Sequence, residues 1–213
     1  MIPFCDRREA GRSLAKRMTA YGGDPAVLVL AIPRGGVPVG FEVARELGLA
    51  LDVVLVRKLG VPGREELAMG AVASAGIFVD RWMLRRLDIT ESEVEAVIER
   101  ERHELGRRER AYREDRAPPM VGGKIVICVD DGLATGASMR VAVTALRSAQ
   151  PAKIVVAVPV AAAEVAADLR GVADEVVVAR LPSNFRAVSL WYRDFAQTTD
   201  DEVRNLLRAA ASG

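Results

Sequence analysis

Five short stretches of unbroken apolar character punctuate the chain. They are residues 26–32 (AVLVLAI), 53–56 (VVLV), 125–129 (IVICV), 154–158 (IVVAV) and 176–179 (VVVA). A strand that is apolar at every position must be covered on both faces, so these runs predict a parallel sheet between layers of helices. The segments between them carry helical spacing. Val39, Val43 and Leu47 line one face, Met139, Val143 and Leu146 another, and residues 161–169 are rich in alanine. Thr199-Asp200-Asp201-Glu202 caps a last helix with Val203, Leu206 and Leu207 inward. Repeated β-α-β of this kind predicts an α/β fold with a doubly wound parallel sheet.

One insertion interrupts the repeat. Residues 59–123 separate the second and third strands by far more than an ordinary connection. Residues 59–68, turn-rich around Gly60, Pro62 and Gly63, read as a mobile loop, and residues 72–79 around Ala75-Gly76 as a small hairpin. Thr90-Glu91-Ser92-Glu93 is a capping box that opens a charged helix running to about residue 116. Its apolar stripe (Val94, Ile98, Leu105, Tyr112) is thin, and acids alternate with its arginines. It therefore reads as a solvated arm or a dimer element, not a nucleic-acid-binding helix. Residues 181–195 hold the aromatic cluster Phe185, Trp191, Tyr192 and Phe195. The expectation is one domain over 1–213, with 59–123 as an inserted loop and helical segment and 181–213 as a C-terminal segment.

Composition narrows the function. Half of the 213 residues are hydrophobic, enough for a substantial core, and the net charge is +1. Near-neutrality argues against nucleic acid or an anionic membrane as the main partner. No apolar run reaches the ~18–20 residues that span a bilayer. The first eight residues become charged too early for a signal peptide, so a cytoplasmic location is expected. Two separated cysteines make no disulfide framework, and one histidine supplies no histidine-based metal site. Cys128 reads as inert core and His103 as solvated.

The chemistry concentrates in residues 125–138, IVICVDDGLATGAS. An apolar strand runs into two adjacent acids, Asp130 and Asp131, then a turn of small residues, then a helix. Ala134, Thr135, Gly136, Ala137 and Ser138 put backbone N–H groups and two hydroxyls at a helix N-terminus, which suits a phosphate monoester. The acids would repel a phosphate but accept hydrogen bonds from hydroxyls. A phosphorylated ribose matches both ends. The chain has no Walker-type loop and no G-x-G-x-x-G after a strand, which removes the commoner nucleotide-binding motifs.

This stretch resembles the phosphoribosyl pyrophosphate (PRPP) signature of the type I phosphoribosyltransferases. Ala31-Ile32-Pro33-Arg34-Gly35-Gly36 is similar to that family's pyrophosphate loop, which often holds a non-proline cis peptide. Arg57-Lys58 is similar to a pair that contacts pyrophosphate, and residues 59–68 stand where the family has its catalytic loop. The resemblance implies transfer of a phosphoribosyl group from PRPP to an acceptor, a nucleobase being expected, with release of pyrophosphate and assistance from Mg²⁺. It implies a hood over the site, formed by the inserted segment and the chain ends, and a homodimer. Asp130 and Asp131 would hold the ribose hydroxyls, directly and through the shell of the metal. Residues 134–138 would hold the 5′-phosphate, and Arg34, Gly35, Gly36, Arg57 and Lys58 the pyrophosphate. Glu65 or Glu66 would act as general acid, with Lys58 and the acid pair also in catalytic positions, and Phe185 would stack on the base. Ala134 stands where the 6-oxopurine enzymes carry an acid, so the base stays open. A PRPP-binding regulator without catalysis is the alternative on the same fold.

Overall fold

The computed structural model describes residues 2–73, 76–114 and 116–212, and of Glu66 the backbone only. Five parallel strands form the central sheet, in the order β2-β1-β6-β7-β8. They are β1 (Val27–Ala31), β2 (Ala50–Val53), β6 (Ile125–Val129), β7 (Lys153–Val160) and β8 (Glu175–Arg180). Alternate residues of each strand feed opposite cores. Val27, Val29, Ile127 and Val129 pack with α1 (Arg7–Ala15), α2 (Gly36–Leu47) and α7 (Asp200–Ala211). Leu28, Leu30, Val126 and Cys128 pack with α5 (Ala137–Arg147) and α6 (Ala163–Leu169). Burial on both faces is what the continuous apolar runs require.

The second strand lies three residues before its predicted place, at Ala50–Val53 and not 53–56. Asp52 in its middle hides it, because a carboxylate in a buried strand is unexpected. Arg113 supplies the reason it is tolerated: Nε lies 3.0 Å from Asp52 Oδ1, and Nη2 donates to the Val53 carbonyl at 2.7 Å. Arg113 ends α4 (Glu91–Arg113), the helix that begins at the Thr90–Glu93 capping box.

The insertion departs further from expectation. Residues 59–68 are not a loop but most of a hairpin, β3 (Val56–Val61) and β4 (Arg64–Ala73), and Arg57-Lys58 opens β3 instead of closing the second strand. Pro62 and Gly63 turn the chain, Gly63 with φ +72°, and Val61 pairs with Arg64. Leu59, Val61 and Met69 bury the hairpin despite its polar tip. β5 (Gly76–Val79) adds an antiparallel edge to this second sheet, as the predicted hairpin at 72–79 requires, though Ala75 lies outside the described residues. α3 (Arg81–Arg86) leads into α4. Val94, Val97, Leu105 and Tyr112 of α4 are buried against this sheet and α7, so α4 is an integral layer and not a solvated arm.

At the N-terminus α1, capped by Asp6, crosses α2 at Gly11, where a Cβ would come within 2.6 Å of the Val39 carbonyl. Arg45 holds the buried Glu42 carboxylate at 2.6 Å, with Arg8 and Arg12 at 3.4 and 3.5 Å. This crossing fixes where the start of α1, and Arg7, can reach.

Breaking a buried ion pair strands the remaining charge, which costs about 3–5 kcal/mol. Arg113→Ala is expected to lose that much in urea unfolding, whereas Arg110→Ala, on the exposed side of α4, stays within about 0.5 kcal/mol.

Candidate functional site

The chain's winding reverses between β1 and β6: from β1 it moves outward to β2, then returns to place β6 on the other side. Crevices at such reversals, outside the carboxyl ends of the strands, are where open α/β sheets bind ligands. Residues 32–36 leave β1 there, and residues 130–138 leave β6.

The two segments interlock through missing side chains. A Cβ on Gly35 would overlap the Asp131 carboxylate. One on Gly36 would lie 2.8 Å from the Val129 carbonyl and 3.0 Å from Asp130 Cα. The Pro33–Arg34 peptide between them and β1 is cis. Only glycine lets this turn approach the acid pair so closely.

Asp130 Oδ1 accepts the Asp131 amide at 2.8 Å. Burial raises the Asp130 carboxyl well above the ordinary range, and the Asp131 charge adds to the shift. Burial also raises Asp131, against the lowering pull of Arg7, whose Nε stands 2.9 Å from Oδ2. Arg7 also donates to the Ala196 carbonyl at 2.7 Å, and its guanidinium lies 3.9 Å from the centre of the Phe195 ring. The Tyr192 hydroxyl donates to the Asp131 carbonyl. Phe4 pairs with Tyr192 by an isolated β-bridge, which joins the two ends of the chain beside the acids.

After the acids, Gly132 packs under Val188, where a Cβ would meet Val188 Cγ1 at 2.6 Å. Gly136 adopts φ +70° and begins α5 with no side-chain cap. α1, α3, α4 and α7 are each capped by an Asp or Thr side chain. The uncapped start of α5 leaves backbone donors and positive dipole for an anion. Ala134, Thr135, Ala137 and Ser138 are exposed there, as a phosphate site needs.

The remaining predicted residues stand farther out. Arg34 turns toward α7, its Nη1 3.7 Å from Asp200 Oδ1. Arg57 is held by α4, its Nε and Nη2 at 2.8 and 2.7 Å from Glu101 Oε2. Lys58 is exposed on β3. Glu65 is exposed near the tip of the β3–β4 hairpin, and the side chain of Glu66 lies outside the described residues. Phe185 is half-buried beside the cluster of Phe4, Val160 and Tyr192. Among the described residues no three His, Cys, Asp or Glu side chains form a metal cluster. Two carboxylates without a third fit a hard ion that keeps most of its oxygens from substrate and water.

Arg7 and Tyr192 escaped the sequence reading. Arg7 sits in a charged run, and only the Asp6 cap hints at a helix; its approach to Asp131 spans 124 positions and depends on the Gly11 crossing.

A model of the phosphoribosyl transferase domain matches residues 7–190, the acid pair and both turns included. The chain belongs to that family. Two Mycobacterium tuberculosis proteins, from strains CDC 1551 and H37Rv, are 44% identical over 201 residues, and both are provisionally named as phosphoribosyl transferases. The match takes in 94% of this chain and 45% of theirs, so the chain spans about half the length of these relatives. The crystal structure of TT1426 from Thermus thermophilus is 43% identical, with a TM-score of 0.86 over 97% of this chain and 98% of that one. Membership in the phosphoribosyl transferase family accords with the doubly wound sheet and the switch-point crevice. Among the described residues no helix is long and apolar enough to cross a membrane.

An acid whose folded-state pKa is raised costs stability once pH exceeds its unfolded value, because folding then disfavours the charge. Asp130→Asn removes that cost. The variant is expected to melt higher at neutral pH, by about 2–4 °C for each kcal/mol released. The advantage should grow as pH rises through the folded-state pKa and vanish below about 3.8, the ordinary aspartate value. Calorimetric melting between pH 3 and 8 checks it.

Proposed function

We propose that the chain transfers a phosphoribosyl group from PRPP to a nucleobase, releasing pyrophosphate with the help of Mg²⁺. One observation carries this reading: the paired carboxylates of Asp130 and Asp131 run directly into the uncapped, exposed N-terminus of α5. That order matches a ligand with a diol at one end and a phosphate at the other. Residues 134–138 hold the 5′-phosphate, and the acids accept the ribose hydroxyls, Asp131 exchanging its bond to Arg7 for the sugar. The turn at Arg34, Gly35 and Gly36 faces the departing diphosphate, joined by Lys58 and by Arg57 once it leaves Glu101. Mg²⁺, bound through substrate oxygens, water and the acid pair, supplies charge neutralisation on the diphosphate.

The transition state is oxocarbenium-like, so the protein works by fixing the ribose and stabilising departing charge. Phe185, half-buried among aromatics, offers a face to the base. Glu65, at the exposed hairpin tip, serves as general acid when that tip closes over the site; Glu66 shares this role. We place the reaction in the cytoplasm, in keeping with two free cysteines, Cys5 and Cys128. We take the acting unit to be a homodimer, a reading supported by exposed Phe78 on the edge strand β5 and exposed Trp82 on the neighbouring α3. Sedimentation giving a single 22.9 kDa chain would refute the dimer.

Titration calorimetry with PRPP and Mg²⁺, followed by a nucleobase panel and a pyrophosphate assay, tests the transfer. Wild type is expected to bind PRPP and release pyrophosphate with one base. The Asp130→Asn, Asp131→Asn double variant should lose PRPP affinity by at least about tenfold while still folding, since each lost bond to a charged group is worth about 1.5–3 kcal/mol. Binding without pyrophosphate release from any base would favour a PRPP sensor over an enzyme. Glu65→Gln should lower turnover more than PRPP affinity, and normal turnover in both Glu65→Gln and Glu66→Gln would remove the general-acid assignment.

A further inference from the structure

Arg7 holds Asp131, and it also borders a separate hollow of about 210 Å³ that Asp131 does not line. Three carboxylates face that hollow: Asp6, the cap of α1; Asp194 of the C-terminal segment; and Glu202, in the first turn of α7. Asp6 Oδ1 accepts the Glu9 amide at 2.7 Å, and Asp194 Oδ1 accepts the Ala196 amide at 2.9 Å. Among the described residues none of the three pairs with a cation. Arg8, the second cation of the lining, is turned to the buried Glu42 at 3.4 Å.

Arg7 therefore stands between two acidic surroundings and occupies one of them. Its Nε lies 2.9 Å from Asp131 Oδ2, and its Nη1 donates to the Ala196 carbonyl at 2.7 Å. Ala196 lines the hollow as well. A side-chain rotation about that contact can carry the guanidinium from Asp131 to the three acids with the Ala196 bond as its pivot.

We propose that Arg7 is a positioning residue with two seats. It sits on Asp131 while the ribose site is empty, and among Asp6, Asp194 and Glu202 once a sugar takes Asp131. This rests on the phosphoribosyl-transfer reading and deepens it, because residues beyond the ligand's reach then set its affinity. A part-buried carboxylate is surrendered to an uncharged diol at low cost only if the arginine that neutralised it is not left stranded. The hollow meets that condition. Plain electrostatics points the other way: acids near a phosphorylated ligand repel it, so their removal should strengthen binding.

Calorimetry on the full chain with Mg²⁺ tests the exchange, using PRPP, ribose 5-phosphate and inorganic pyrophosphate in separate titrations. The Asp194→Asn, Glu202→Gln double variant keeps an acceptor for the Ala196 amide. It is expected to weaken PRPP and ribose 5-phosphate by about tenfold, the scale of one lost charge-assisted bond. Pyrophosphate, which offers Asp131 no hydroxyl, should stay within about twofold. In an Arg7→Gln background the same two substitutions should change PRPP affinity by less than about twofold, because the group they receive is gone. The proposal fails if the double variant binds PRPP as tightly as wild type does, or more tightly. It fails equally if pyrophosphate weakens in parallel, or if the loss persists in the Arg7→Gln background. In each of these cases wild-type binding of PRPP leaves the transferase reading standing. A wild type that binds neither PRPP nor ribose 5-phosphate would overturn both.

Discussion

Two carboxylates held side by side at the carboxyl end of a doubly buried strand are an unfavourable arrangement, and much of the surrounding structure answers it. Burial presses both Asp130 and Asp131 toward their neutral forms, and the Asp131 charge presses Asp130 further. The Asp131 amide offers one hydrogen bond back to Asp130, and Arg7 offers a guanidinium to Asp131. Arg7 can arrive only because α1 crosses α2 at a glycine. It is steadied only because the C-terminal segment supplies the Ala196 carbonyl and the face of Phe195. Tyr192 ties that segment to the Asp131 carbonyl and pairs with Phe4 from the other end of the chain. Residues from both ends of the sequence thus meet at a single buried charge.

Stability alone would favour a pair of apolar residues here. An acid pair that lowers the stability of the free protein is consistent with a strand end kept for binding. The glycines of the 32–36 turn fit the same logic, since they give up side-chain packing to let backbone approach the acids. α5 begins on a glycine with positive φ and no capping side chain, though four other helices are capped. Each departure from the usual rules falls within the same crevice, where the winding of the sheet reverses.

The sequence carried this part of the molecule well because it is local. The β6 run, the acids and the small-residue turn are contiguous, and the central strands need no charge to be satisfied at a distance. What stayed hidden depends on distant partners. Asp52 disguises β2 until Arg113, 61 positions away, is seen to hold it. Pro62, Gly63 and the acids after them look like loop, because strand pairing in β3–β4 is fixed across the turn by buried Leu59, Val61 and Met69 and not by a long apolar run. Arg7 had no local signal beyond the cap before its helix.

The same distinction explains α4. Its apolar stripe looks thin because polar side chains occupy positions on or beside the inward face, and a stripe so broken ordinarily means a solvated helix. Here Glu101 reaches Arg57, Tyr112 reaches Asp200, and Arg113 reaches Asp52 and Val53, so the polarity that weakens the stripe is what fastens the insertion to the strand ends and to α7. A helix fastened by polar side chains is held in register as well as in place, because each charge must meet its partner or be stranded. That register sets Arg108 opposite Arg34, across a cleft that apolar packing would have closed.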